Sequence, residues 1–196
     1  MRLSVWLAAV FCISSYGATP EIEITLAHGS AREEATRDQV RRLLGEYDLS
    51  GWIWTREVAI DEDATPHSHP VLTLHARHLK QDLELLSTFV HEQYHWYAVE
   101  HSEQTAAAIT EFRTAYPKIA VGGRDGGGDE ESSYLHIIVC YEEWQKMKSL
   151  VGEERAREVM EFWAGDHYRA IYKLVMANEE AVGAVVSRHG LRPERE

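Results

Sequence analysis

The sequence predicts a single α+β domain, with strands mainly in its N-terminal half and helices dominating afterwards. Apolar and polar residues alternate with period 2 in several short early segments, whereas from about residue 79 the apolar residues recur every three to four positions. A length of 196 residues suits one hydrophobic core rather than two. We therefore expect a small antiparallel or mixed sheet packed on a central helix, with further helices towards the C terminus.

The first residues have the features of an export signal. Arg2 precedes an apolar run over residues 3–13, and small residues follow at Ser15 and Gly17. The run is shorter than the ~20 residues that cross a bilayer. We predict a signal peptide over residues 1–18, a mature domain over residues 19–196, and export to the periplasm or the medium without membrane insertion after cleavage.

Charge and cysteine content narrow the possible functions. A formal net charge of −12 repels nucleic-acid phosphates and anionic lipids, so we expect neither as a partner. After signal cleavage Cys140 is the only cysteine, and a single thiol cannot form an intramolecular disulfide framework. Stability must therefore come from the core or from a metal, and Cys140 itself is expected to be a small buried apolar residue.

Three strands and one helix are predicted in the N-terminal half. Residues 21–26 alternate as a half-buried strand, and residues 31–47 follow as a charged amphipathic helix. Two further strands are expected within residues 52–60 and 71–74. The acidic, proline-containing segment between them predicts a hairpin or a neighbouring strand pair.

The second half is predicted to be helical. Proline at position 117 ends one helix, and the glycine-rich residues 122–128 must form a loop. That loop lacks the Gly-Lys-Ser/Thr ending of a phosphate cradle, so we expect a flexible surface loop beside the site. Helical patterns cover residues 79–100, 103–113, about 129–147, 153–162 and 166–188.

A metal-binding motif lies in the middle of the predicted helix over residues 79–100. His91 and His95 are four residues apart, so their imidazoles project from the same face and can hold one ion. Glu92 lies about 100° around the helix, where its carboxylate can reach a metal-bound water without ligating the ion. This spacing predicts a Zn²⁺ site with Glu92 as the general base.

A catalytic zinc site needs a third protein ligand and an open position for water. His136 is the preferred candidate, on a helix where Cys140 and Glu143 share its face. Glu143 can orient His136 or ligate directly, and Glu131 is a further option. His101 lies ten residues after His91, but Ala98 stands where a glycine would have to turn the chain.

Three segments of the chain resemble a known family. Residues 91–96, residues 116–117 and residues 133–139 are similar to the compact zincin-like metallopeptidases of bacteria. The resemblance covers roughly residues 52–171. It implies a zincin-like α+β fold, with a strand near the metal helix and a second helix that supplies the third ligand.

We thus expect an exported zinc metallopeptidase that acts on a peptide or protein substrate. His167 and Tyr168, at the start of the last predicted helix, are candidates to donate hydrogen bonds to the oxyanion of the reaction, with His167 the predicted catalytic partner of Glu92. The alternative is an exported, non-catalytic metal-binding protein. It would use the same histidines together with a second cluster, formed by His67, His69, His75 and His78.

Overall fold

A computed structural model describes residues 21–193, and the predicted signal peptide lies outside this range. The α+β class is confirmed. The strands are β1 (Glu23–Leu26), β2 (Glu57–Ile60) and β3 (Leu72–Leu74), with α1 (Ala31–Glu46) between the first two and a short 3₁₀ turn (Ala76–His78) after the third. The remaining helices are α2 (Asp82–Glu100), α3 (Ser102–Ala115), α4 (Glu130–Val151), α5 (Glu153–Asp166), α6 (Arg169–Ala177) and α7 (Glu179–Arg188).

The sheet is parallel throughout, in the order β1-β2-β3, so the expected antiparallel or mixed sheet is wrong. Helix α1 carries the chain from β1 to β2 as a crossover, which parallel neighbours require. The predicted hairpin is also wrong, whereas its alternative, a neighbouring strand pair, is confirmed, because β2 and β3 lie side by side and parallel. Residues 61–71 carry the chain from the end of β2 back to the edge of the sheet at which the strands begin. His67 forms an antiparallel bridge with Thr73, so the chain reverses within this loop and not directly after β2.

Helix α2 lies at the centre of the core and is buried on several sides. Its predicted apolar residues Leu86, Val90, Tyr94 and Tyr97 are buried, and Leu83 is half-buried. The helix packs against α4 as well as against β3 and α1. Helices α5 and α6 pack on α4, so the two central helices carry neighbours on most of their faces.

The two residues inside the metal motif fix α2 to the rest of the fold. Gln93 accepts hydrogen bonds from the backbone nitrogens of Trp54 and Thr55, at 2.8 and 3.0 Å, and its amide donates to the Thr55 carbonyl at 2.8 Å. Tyr94 donates to the carbonyl of Leu191 at 2.6 Å. The motif therefore holds the segment before β2 and the C-terminal segment in place.

The helix predicted over residues 166–188 is interrupted twice. Helix α5 continues to Asp166, Tyr168 adopts a left-handed backbone with φ of 46°, and Asn178 separates α6 from α7. The Asn178 side chain donates to the Leu174 carbonyl at 2.8 Å, which satisfies one group at the end of α6. None of the helices within residues 21–193 combines the length and apolar character needed to cross a membrane.

A buried carboxylate organises the turn between β1 and α1. Glu33 is inaccessible to solvent and accepts hydrogen bonds from the backbone nitrogens of His28 and Gly29, both at 2.8 Å, and of Glu62 at 3.2 Å. The His28 imidazole contacts it at 2.9 Å. Burial alone would raise the pKa of Glu33, but these hydrogen bonds outweigh it and lower the pKa to about 2.

Replacing Glu33 should therefore cost stability in a pH-dependent way. A carboxyl group whose pKa is lower in the folded state stabilises the protein above its unfolded pKa of 4.5, and this stabilisation is lost as the pH falls towards 2. We expect Glu33→Gln to unfold at lower denaturant than the wild type at pH 7, with the gap closing in acid. Exposed Glu34 provides the control, since Glu34→Gln should follow the wild type; a gap independent of pH would contradict this role.

Candidate metal centre

Helices α2 and α4 bring three imidazoles together. The Nε2 atoms of His91 and His95 are 3.3 Å apart, and with His136 they offer ligand nitrogens that all lie within 4.8 Å of one another. Two nitrogens bound to one tetrahedral zinc ion at 2.0–2.1 Å are separated by about 3.3 Å. The spacing on α2 therefore fits two ligands of one zinc ion, and His136 stands where a third is needed.

His136 is held in the form that binds metal. Its Nδ1 donates to the Ser132 carbonyl at 2.6 Å, so the lone pair of the neutral ring is on Nε2. Burial, followed by the charge of His91, lowers the pKa of His136 to about 3. A buried imidazole that stays neutral suits a transition-metal ligand better than an ion pair with a carboxylate.

Glu143 holds His91 rather than His136, which corrects the expected pairing. The His91 Nδ1 donates to Glu143 Oε2 at 2.8 Å, and Tyr172 donates to the same oxygen at 2.8 Å. Ser87 donates to the other oxygen and itself accepts from Trp163 at 3.0 Å. With Nδ1 committed to Glu143, the Nε2 of His91 faces His95 and carries the lone pair when the ring is neutral.

Two of the alternative ligands lie away from the centre. Glu131 is exposed at the start of α4 and lies 3.9 Å from Arg113. His101 follows the last residue of α2, donates to the Tyr97 carbonyl at 2.9 Å and stacks on the Tyr97 ring. Among residues 21–193, three groups of side chains are close enough to share an ion, and neither residue belongs to them: His91, His95 and His136; His91, Cys140 and Glu143; His28, Asp61 and Asp63.

Glu92 lies beside the histidines in a cleft of about 320 Å³. Only 7% of the residue is exposed, and burial raises the pKa of its carboxyl group to about 7. The charge of His91 opposes this rise, whereas the charge of Glu143 adds to it. The predicted base therefore faces the same cavity as two of the residues around the metal centre, His91 and Glu143.

His167 and Tyr168 also line this cleft, although they connect α5 to α6 and do not open a long helix. The His167 Nδ1 donates to Asp166 at 3.0 Å, and burial lowers the pKa of His167. The left-handed backbone of Tyr168 places its ring 4.0 Å from that of His136, measured between centroids. Tyr168 therefore packs directly on one of the three imidazoles.

The glycine-rich loop forms a wall of the cleft through Gly123, Gly126 and Gly128. It is tied by hydrogen bonds, from Gly122 N to the Gly127 carbonyl at 2.6 Å and from Gly127 N to Ser133 Oγ at 2.9 Å. A Cβ atom at Gly126 would lie 2.0 Å from the Ala120 carbonyl oxygen. The expected surface loop is thus a hydrogen-bonded wall in which only glycine fits at position 126.

Several residues around Glu143 gave no recognisable signal in the sequence. Ser87, Trp163 and Tyr172 reach the centre through Glu143, and their distance in sequence hides this connection.

Cys140 is buried as predicted, and burial raises the pKa of its thiol. A larger cavity of about 470 Å³ lies elsewhere, and its lining contains none of the three histidines.

No protein-family model, curated protein or solved structure shows a significant match to this chain. The resemblance to zincin-like metallopeptidases therefore stays a prediction from the motif. The geometry of His91, His95 and His136 is the observation on which a functional proposal rests.

Removing the charge of Glu143 should weaken metal binding. A neutral amide in Glu143→Gln no longer fixes the tautomer of His91, and loss of such an outer contact typically costs tenfold to a hundredfold in metal affinity. Zinc titration against a competing chelator measures this change. Glu131→Gln, on the same helix but exposed, should bind zinc like the wild type.

An unchanged zinc affinity in folded Glu143→Gln would contradict this role. Circular dichroism of the metal-free proteins separates weakened binding from loss of the fold, because the hydrogen-bond network around Glu143 is buried.

Proposed function

We propose that the protein is a zinc-dependent hydrolase, a metallopeptidase that cleaves peptide bonds with an activated water molecule. The observation that supports this proposal is that three imidazole nitrogens lie within 4.8 Å of one another, beside an open cleft. His91, His95 and His136 are three protein ligands, the number that catalytic zinc sites use when a fourth position is left for water.

Bound zinc would lower the pKa of a coordinated water to about 7. His91 and His136 each commit Nδ1 to an oxygen acceptor and keep Nε2 for the ion. His95 is partly buried, and His91 lines the open cleft. These features favour a catalytic zinc site over a closed structural one.

Glu92 takes the proton from the attacking water and passes it to the leaving amine. Its position on α2 directly after His91 points it into the cleft without making it a member of the ligand group. Tyr168, packed on His136, donates a hydrogen bond to the oxyanion that develops at the scissile carbonyl. His167 is a second donor through Nε2 in its protonated form, because its Nδ1 proton is given to Asp166. We place this activity outside the cytoplasm on the basis of the predicted signal peptide.

The alternative is an exported metal-binding protein without catalysis. It requires further metal sites at the second histidine cluster. His67, His69 and His75 belong to none of the groups that could share an ion within residues 21–193, and His78 is buried and bonded to Arg77 and Gln81. One zinc per chain supports the hydrolase, whereas several exchangeable ions per chain support the alternative.

Glu92→Gln separates metal binding from turnover. The variant keeps all three histidines, so we expect about one zinc per chain. Loss of the base should lower the kcat for peptide cleavage by about a hundredfold or more. Zinc content by atomic absorption and cleavage of a peptide mixture followed by mass spectrometry give the two values.

Glu100→Gln is the matched control, because Glu100 is exposed at the end of the same helix. It should match the wild type in both measurements. Turnover by zinc-loaded Glu92→Gln at the wild-type rate would remove Glu92 from the mechanism, and absence of peptide cleavage by the zinc-loaded wild type would overturn the proposed activity.

A further inference from the structure

One arginine lines the same cleft as Glu92. Arg77 lies in the 3₁₀ turn after β3, and its side chain is 40% exposed. Its Nη2 donates to Asp166 Oδ2 at 2.7 Å, and its guanidinium carbon lies 5.7 Å from the centroid of the Trp163 ring. These contacts hold the guanidinium at the wall formed by Trp163 and Asp166.

A buried histidine fixes the orientation of this arginine. The Arg77 Nε donates to His78 Nε2 at 2.7 Å, and the other ring nitrogen of His78 donates to Gln81 at 3.0 Å. Since Nε2 accepts a hydrogen bond, His78 is neutral, and its exposure is only 4%. The guanidinium is therefore positioned by an interior side chain as well as by an ion pair.

The carboxylate that contacts Arg77 is shared with a second arginine. Asp166 contacts both Arg77 and Arg124. The Arg124 Nη2 lies 3.6 Å from Asp166 Oδ1, and the Arg124 Nε donates to the backbone carbonyl of Asp166 at 2.7 Å. Two guanidinium groups thus face one carboxylate, in a chain with a net charge of −12. Of the two other acids that line the cleft, Glu143 is hydrogen-bonded to His91, and Glu92 is the proposed base.

One edge of the Arg77 guanidinium is available to a ligand. Its hydrogen bonds use Nε and Nη2, and no hydrogen bond or ion pair within residues 21–193 uses Nη1. The planar guanidinium fork matches a carboxylate, with two parallel N–H···O bonds. A fixed, partly exposed arginine in a cleft is thus suited to recognise an anion.

We propose that Arg77 binds a carboxylate of the peptide substrate while the metal centre holds the scissile carbonyl. The inference rests on the proposed function for the identity of the substrate. The carboxylate belongs either to the C terminus of a short peptide or to an acidic side chain near the cleaved bond. A cleft of about 320 Å³ is at the small end of ligand sites, which favours a short peptide.

A binding experiment tests Arg77 without turnover. The probes are hydroxamates, which bind zinc, linked by chains of increasing length to either a carboxylate or the matching carboxamide. For at least one length, we expect the zinc-loaded wild type to bind the carboxylate about tenfold or more tightly, as a charge-assisted hydrogen bond provides. Arg77→Gln should reduce the carboxylate to the affinity of the carboxamide, whereas Arg155→Gln, at an exposed position of α5, should keep the preference.

The assignment would be overturned if the wild type bound the carboxylate and carboxamide probes equally well or bound neither. It would also be overturned if Arg77→Gln kept the preference for the carboxylate. A carboxylate preference in a protein that cleaves no peptide would sink the proposed hydrolysis alone.

Peptide pairs identify the source of the carboxylate. One pair differs in a free or amidated C terminus, and the other has aspartate or asparagine beside the cleaved bond. If the KM values differ between the free and the amidated peptide, Arg77 binds the C terminus. If they differ between the aspartate and the asparagine peptide, Arg77 binds an acidic side chain. Cleavage of all four peptides with equal kcat/KM would contradict carboxylate recognition.

Discussion

The hydrogen bond between His91 and Glu143 joins the two helices on which the centre is built. It crosses from α2 to α4 in the interior, where removing one partner of a charged or polar pair costs about 3–5 kcal/mol. Burial alone would lower the pKa of His91, but the hydrogen bond and charge of Glu143 raise it. Tyr172 and Ser87 also donate to the carboxylate, so both of its buried oxygens are hydrogen-bonded.

The same bond relates the fold to the chemistry of the site. It orients the imidazole of His91 through Nδ1. The helical spacing then places the Nε2 of His95 3.3 Å from the Nε2 of His91. The third, His136, comes from α4 and is oriented by its own helix through Ser132. The convergence of the three imidazoles thus follows from the packing of α2 on α4.

Local features of the site were accessible from the sequence because they depend on helical periodicity. The spacing of His91 and His95 and the position of Glu92 follow from the geometry of one helix, whereas the approach of His136 depends on how α4 packs on α2. The partner of Glu143 was misassigned, because Glu143 shares a face with His136 on one helix but meets His91 across an interface. Periodicity within one element carries no information about which neighbouring helix a face meets.

The sheet shows a similar limit. Alternation located all three strands, but it does not encode strand direction, and the turn residues between β2 and β3 have the composition of a hairpin. The strands run parallel because α1 joins β1 to β2 and because the loop before β3 reverses at His67. The left-handed backbone of Tyr168, which costs of order 1–3 kcal/mol, was likewise invisible in sequence. It is supported by the loop carbonyls of Arg124 and Asp125, which accept from the first two nitrogens of α6.

The crystal structure of the zinc-loaded protein tests most directly whether packing of α2 on α4 creates a metal centre. We expect one zinc ion bound by the Nε2 atoms of His91, His95 and His136 at about 2.0–2.1 Å, with Glu143 still hydrogen-bonded to His91. This account would be contradicted if zinc bound at another site, or if the three imidazoles held no ion at saturating zinc.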